Sequence, residues 1–217
     1  MPMSEAEDPI SHGMGTGDLC LDFANTMDWH SSPDPKETLH DYADLLEWSR
    51  RERILSSDDV RALAAKTEGR DGLQDAVMGQ AVELRESIYR LFSARAHGRA
   101  SSQEDLGVLN RYLGRGMSRA LVKADGAVFR WAWSDEDKPV DMMFWPIARS
   151  AADLLTSRGV SRVKECANDE EGCGWLFVDT SKNQSRRWCS MQSCGNRAKF
   201  RRYYQAHGKE GRGGGAK

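Results

Sequence analysis

Four of the five cysteines in this 217-residue chain fall into two pairs near its C-terminal end, Cys166 with Cys173 and Cys189 with Cys194. The pairs read C-x6-C and C-x4-C, with fifteen residues between Cys173 and Cys189. Nothing else in the sequence limits the fold as tightly. Two short knuckles from separate chain points deliver four thiolates to a tetrahedral Zn²⁺. A module of about 50 residues has too little core to stand alone, and a metal supplies the missing folding free energy. Both second cysteines precede glycine, Gly174 and Gly195, which permits the tight turns of a knuckle. Between the pairs runs "GWLFVDTS", aromatic and β-branched, which suits a strand. The outline is a zinc ribbon or treble clef around one structural Zn²⁺, with ligands Cys166, Cys173, Cys189 and Cys194 and no open position. Disulfides are the alternative for paired cysteines, and reduced thiols are the expectation in a cytoplasmic chain. Cys20, between Leu19 and Leu21, is expected to be a small buried hydrophobe and not a ligand.

The charge is distributed unevenly. The formal net charge is -2, yet no Asp or Glu occurs from Thr180 to Lys209 while eight Lys and Arg do. The rest of the chain carries 23 cations against 33 acids. A basic end on an acidic body suggests an anionic partner for that end. A solvated charged helix is the plainer reading. Interleaving of the charge with aromatics and cysteines favours nucleic acid. "NRAKFRRYYQAHGK" suits a helix, with Asn196 as a cap and Arg197 and Arg201 on one face. Phe200, Tyr203 and Tyr204 are expected to pack on the strand bearing Trp175 and Phe177. Arg186, Arg187, Arg197, Lys199, Arg201 and Arg202 are the expected nucleic-acid contacts. For Arg197 a structural role, pairing with Asp179 or capping carbonyls, stands equally open. Trp188 is expected in the core.

Upstream, the periodicity is helical. "LQDAVMGQAVELRESIYRLFSARAHG" repeats apolar residues at three and four and closes at Gly98. "SSDDVRALAAKTEG" opens like a capping box and ends at Gly69. Ser102 is a plausible cap for the segment carrying Leu106, Leu109 and Leu113. "PKETLHDYADLLEWSRRERIL" is helical in spacing, with Pro35 near its start. Asp125-Gly126, flanked by alternating apolar residues, predicts a β-hairpin. A helix entered through Pro146 follows and ends at Gly159. "GDLCLDFANT" is too short for periodicity to choose between a strand and a buried turn. The expected architecture is a mainly α N-terminal domain with a β-hairpin over 17–159, plus a small C-terminal α+β zinc-ribbon or treble-clef-like finger over 160–207. Residues 1–16 are expected to be a disordered lead and 208–217 a flexible tail. No stretch approaches the ~20 apolar residues of a membrane helix, and the first residues lack a secretory signal. A cytoplasmic protein is expected.

"RVKECANDEEGCGWLFVDTSKNQSRRWCSMQSCGNRAKFRRYY" resembles the CGNR zinc finger, named for the residues at Cys194, Gly195, Asn196 and Arg197. "LCLDFANT", "LLEWSRRERIL" and "ELRESIYRLF" resemble the ABATE domain that usually precedes this finger. The resemblance implies a bacterial regulator of transcription, in some members stress-induced. DNA is then the expected partner, and because one finger with a short basic helix binds weakly alone, a homodimer is expected. The N-terminal domain would sense a small-molecule effector or mediate assembly. Trp29, Trp131, Trp133, Phe144 and Trp145 would line its pocket, with Asn25 and Arg85 as polar contacts. The simpler alternative, favoured here, is that these aromatics are core. An adaptor that binds protein or RNA is the competing function. No phosphate loop, Ser-His-Asp set or His-x-x-x-His is present, and His30, His40 and His97 are expected at the surface, so no enzymatic activity is expected.

Overall fold

A computed structural model describes residues 18–134 and 137–207. The expected lead and tail lie outside these. The chain begins with a six-residue helix, α1 (Leu19–Ala24), and this resolves the ambiguous "GDLCLDFANT". Cys20, Leu21, Phe23 and Ala24 are all fully buried, so α1 is a central core element. The Cys20 thiol is pushed up to about 12, chiefly by burial, and behaves as the inert hydrophobe expected.

Strands β1 (Met27–Asp28) and β2 (Lys36–Glu37) form a two-residue antiparallel ladder. Pro35 therefore precedes a strand and does not start a helix. The helix begins later, at α2 (Tyr42–Arg51), where the Asp41 side chain accepts from the Asp44 N–H. α3 (Ser57–Thr67) carries the capping box in full, Ser56 and Asp59 each bonding the other's backbone. α4 (Asp71–Ala96) is the longest element and buries Val77, Ala81, Leu84, Ile88, Leu91 and Phe92. α5 (Gln103–Met117) is capped by Ser102. β3 (Ala120–Asp125) and β4 (Val128–Trp133) form the hairpin, with Gly126 at φ 60° in the turn. α6 (Phe144–Thr156) packs beside α5, with Pro146 in its first turn, where the ring costs no hydrogen bond.

The C-terminal part is a small α+β unit. A 3₁₀ turn (Arg158–Arg162) leads into β5 (Val163–Glu165), which pairs antiparallel with β6 (Leu176–Val178). A π-helical turn (Met191–Gly195) then opens into α7 (Asn196–His207). Two ligands precede β6 and two sit at the entrance to α7, a treble-clef-like order. Period-two alternation makes β6 the seam between the two halves. Leu176 points into the large core shared with α1 and α4, and the next residue, Phe177, belongs to the cysteine cluster. Val163 joins the large core from β5. The finger is thus fused to the helical part through shared apolar burial.

The expected ligand-pocket residues do not assemble into one site. Phe144 and Trp145 are core. Asn25 is 5% exposed, and its amide spans the Leu176 backbone, donating to the carbonyl and accepting from the N–H, both at 2.9 Å. It acts as an extra rung on β6. Arg85 is 2% exposed and forks onto Glu37 through two 2.7 Å bonds. Trp29, in left-handed backbone at φ 54°, packs on the cysteine cluster. Trp131 and Trp133 alone meet at an open groove of about 530 Å³ between the hairpin and α6, where Arg149 lies 3.9 Å over the Trp131 ring. Asn25, Trp29 and Arg85 do not line the groove.

Candidate metal centre and nucleic-acid interface

Cys166 follows β5, Cys173 follows the acidic 3₁₀ turn Asp169–Glu171, Cys189 ends the loop after β6, and Cys194 lies in the π-turn before α7. All four are buried, and their sulfurs lie within 4.8 Å of one another. Three sulfur separations are 3.8 Å for Cys173–Cys189, 3.7 Å for Cys189–Cys194 and 3.6 Å for Cys194–Cys173. A tetrahedron with Zn–S bonds near 2.3 Å has edges of about 3.8 Å. The donor set and its spacing fit one structural zinc. The surrounding donors suit thiolates: the Cys189 N–H faces the Cys166 sulfur at 3.4 Å, and the Asn168 amide faces Cys194 at 3.5 Å.

The wide C-x6-C gap has a structural explanation. Its extra residues form the Asp169–Glu171 turn and Gly172, at φ 68°. A Cβ on Gly172 would lie 2.5 Å from the Ser31 and Ser32 backbone. A Cβ on Gly174, also left-handed at φ 66°, would meet Ser31 and Tyr89 at 2.9 Å. The knuckle presses against the loop after β1 at a distance only glycine allows. Gly174 thus serves this contact as well as the knuckle turn. Below it, Tyr89 and Ser93 of α4 donate to Glu165, the residue before Cys166, at 3.0 and 2.6 Å.

The basic residues divide into two groups. Arg186 donates from Nε to the Trp188 carbonyl at 3.0 Å and from its terminal nitrogen to the Cys189 carbonyl, with its guanidinium 4.4 Å from the Phe177 ring. It clamps the second knuckle. Arg201, 24% exposed, bonds Glu170 at 2.9 Å, Glu171 at 3.0 Å and the Asn168 side-chain oxygen Oδ1 at 2.7 Å. Asn168 is fully buried and reaches Cys194, so a chain of contacts runs from Arg201 to a ligand sulfur. Arg197 bonds Glu171 at 3.2 Å and lies 4.7 Å over the Trp29 ring. Asp179, the partner considered for Arg197, instead takes Lys164 at 2.6 Å together with Ser181 and the Arg186 N–H. Burial alone would raise Asp179, but Lys164 and Ser181 outweigh it and hold the carboxyl well below the usual range.

Arg187, Lys199 and Arg202 are exposed and have no carboxylate partner among the described residues. Arg187 lies 5.3 Å over the half-buried Trp188 ring, and Arg187 and Arg202 border a cleft of about 210 Å³ between the knuckle and α7. Phe200, Tyr203 and Tyr204 do not pack on the Trp175–Phe177 strand as expected. They are 62%, 58% and 68% exposed, because α7 turns Arg197 and Arg201 to the finger instead. His30 also departs from expectation, half-buried against Tyr89 at 3.5 Å and bonded to Glu86 at 2.8 Å. His40 and His97 remain substantially exposed.

Sequence reasoning missed Asn168, Glu170 and Glu171. Their signal was the run "NDEE" between the first two cysteines, facing the acid-free segment. A difference between neighbouring arginines follows. Arg201→Ala should lower stability by about 1–3 kcal/mol, because it leaves Asn168 and two carboxylates short of a partner. Arg202→Ala should stay within about 0.5 kcal/mol of wild type. Urea unfolding followed by tryptophan fluorescence measures both, and equal effects would remove Arg201 from the structural set.

Comparison with known proteins gives two matches in chain order. A family model described as "putative stress-induced transcription regulator", ABATE, matches residues 17–158. The CGNR zinc finger model matches residues 162–207. No curated protein matches the sequence.

Proposed function

Since the chain belongs to the ABATE family and carries a CGNR zinc finger, we propose that it is a DNA-binding regulator of transcription whose finger contacts the nucleic acid. One observation carries the reading: a metal-held segment without acids presents Arg187, Lys199 and Arg202 to solvent with no carboxylate partner among the described residues. Unpaired surface cations release counterions from a polyanion and supply affinity that falls with salt. Arg186, Arg197 and Arg201 serve the finger's own structure, so the contact set is smaller than the count of basic residues suggests.

Three phosphate contacts make a weak site, and two copies of the chain acting together would supply useful affinity. The helical part would then sense an effector or mediate assembly, with the Trp131–Trp133 groove as the place for a small molecule. No helix among the described residues is long and apolar enough to cross a membrane, which is compatible with the cytoplasmic site the reading requires. The reading includes no catalytic step.

Fluorescence anisotropy of zinc-loaded protein with mixed-sequence duplex DNA at several salt concentrations tests it. The expected slope of log affinity against log salt is roughly -3, near -0.9 per phosphate. Replacing Arg187, Lys199 and Arg202 together by Ala should bring the slope close to zero. Absence of binding at low salt would transfer the finger to the adaptor reading, with protein or RNA as its partner.

A further inference from the structure

α7 exposes a line of aromatic rings. Phe200, Tyr203, Tyr204 and His207 recur at three and four, so they share one face of the helix. Tyr203 stacks on His207 with centroids 4.4 Å apart and meets Tyr204 edge-on at 5.8 Å. The three larger rings are each more than half exposed. At about 200 Å² per ring they leave roughly 400 Å² of aromatic surface in water, the size of patch that marks a binding site. The flank of the helix next to Tyr204 is committed to the finger through Arg197 and Arg201.

The charge around the stripe selects its occupant. Lys199 lies one turn before Tyr203 and is exposed at the border of the stripe, whereas Arg202 lies about 100° round the helix from Tyr203, toward the cleft beside the knuckle. No acidic residue occurs anywhere from Thr180 to Lys209. A second α7 laid against the stripe would bring like charges together on both sides. An anion with flat apolar faces satisfies both the rings and the cations. In a duplex the base faces are stacked on one another, and the grooves offer edges, which are read chiefly by donors and acceptors. Unpaired bases expose their π faces, and a basic surface with a row of aromatics is the arrangement that binds them.

We propose that α7 binds unpaired DNA, stacking bases on Phe200, Tyr203 and Tyr204 while Lys199, at the border of the stripe, holds the phosphates. The proposal rests on the nucleic-acid reading above and deepens it: the preferred substrate is a melted or single-stranded stretch and not an intact helix.

The test uses the full zinc-loaded chain with a labelled single-stranded DNA, its duplex and an RNA of the same sequence. Single-stranded DNA should bind at least about 10-fold more tightly than the duplex. Phe200→Ala, Tyr203→Ala and Tyr204→Ala should each weaken single-strand binding roughly 10-fold and leave duplex binding within about twofold. Because these rings are exposed, zinc content and the thermal midpoint should not change, and both are measured on every variant. Duplex binding equal to or tighter than single-strand binding overturns the stacking proposal and leaves the regulator reading intact. Equal losses on both DNA forms also overturn it, as does tighter binding to the RNA. If neither DNA form binds, the regulator reading is overturned along with it.

Discussion

Cys194→Ser, or removal of zinc by a chelator, is expected to unfold the C-terminal finger and with it α7. β5 and β6 are three residues each, and an isolated 12-residue helix is marginal in water. What organises them is the four-thiolate cluster, and structural zinc in such sites contributes on the order of 10 kcal/mol of apparent binding free energy at neutral pH. The loss should not stop at the finger. Val163 and Leu176 belong to the core built on α1 and α4, and Asn25 is bonded to the Leu176 backbone. The helical part should therefore keep most of its circular dichroism while its thermal midpoint falls. Cys20→Ala serves as the contrast: this thiol is buried away from the cluster, so the variant should lose stability yet retain one zinc per chain. Retention of α7 helicity in zinc-free protein would show that the core contacts of β5 and β6 suffice to hold the finger.

Arg85→Ala is expected to cost about 3–5 kcal/mol, the range for breaking a buried ion pair from one side. The guanidinium forks onto Glu37, with further bonds to Glu86 at 3.1 Å and Thr26 at 3.3 Å, and so fastens the β1–β2 segment to α4. Removing it strands a carboxylate whose side chain is only 28% exposed. The pair also sets a pH dependence. Burial alone would raise Glu37, but hydrogen bonds from Arg85 and the Leu39 N–H outweigh it and hold the carboxyl below its ordinary value. The stabilisation is present above the unfolded pKa, near 4.3, and is lost as pH falls through the lowered folded value. In Arg85→Ala burial is opposed only by the Leu39 and Thr38 N–H bonds, so protonating Glu37 costs less than in wild type and the deficit should shrink on acidification. Urea unfolding of both proteins at neutral pH and near pH 4 measures the deficit; one that is constant with pH would mean that Arg85 acts by packing alone.

The hairpin was legible because Asp125-Gly126 encodes its turn locally, and the caps at Ser56 and Ser102 because a side chain bonds backbone three residues away. The cysteine tetrad was legible for a different reason: few residue types bind zinc, and two pairs of them leave little choice of site. α1 was not, since six residues, five of them apolar, are too short to carry a period, and only the surrounding helices make its burial favourable. Asn25 and Arg85 were picked out correctly as unusual polar residues but given the wrong partners. Their targets, Leu176 and Glu37, lie 151 and 48 residues away, and no local pattern names them.

The arginines show where the division falls. The sequence by itself determined that the chain ends in a metal-held, acid-free basic segment, because charge and ligand type belong to residues wherever they are placed. Only the tertiary structure decided which of those charges are available. Arg201 and Arg202 are adjacent and chemically identical, yet one is tied to Asn168, Glu170 and Glu171 and the other has no carboxylate partner among the described residues. The helix turns 100° between them, and the zinc fixes which side of α7 faces the knuckle. The same rotation carries Phe200, Tyr203 and Tyr204 into solvent, away from the strand that hydrophobicity alone would have chosen for them.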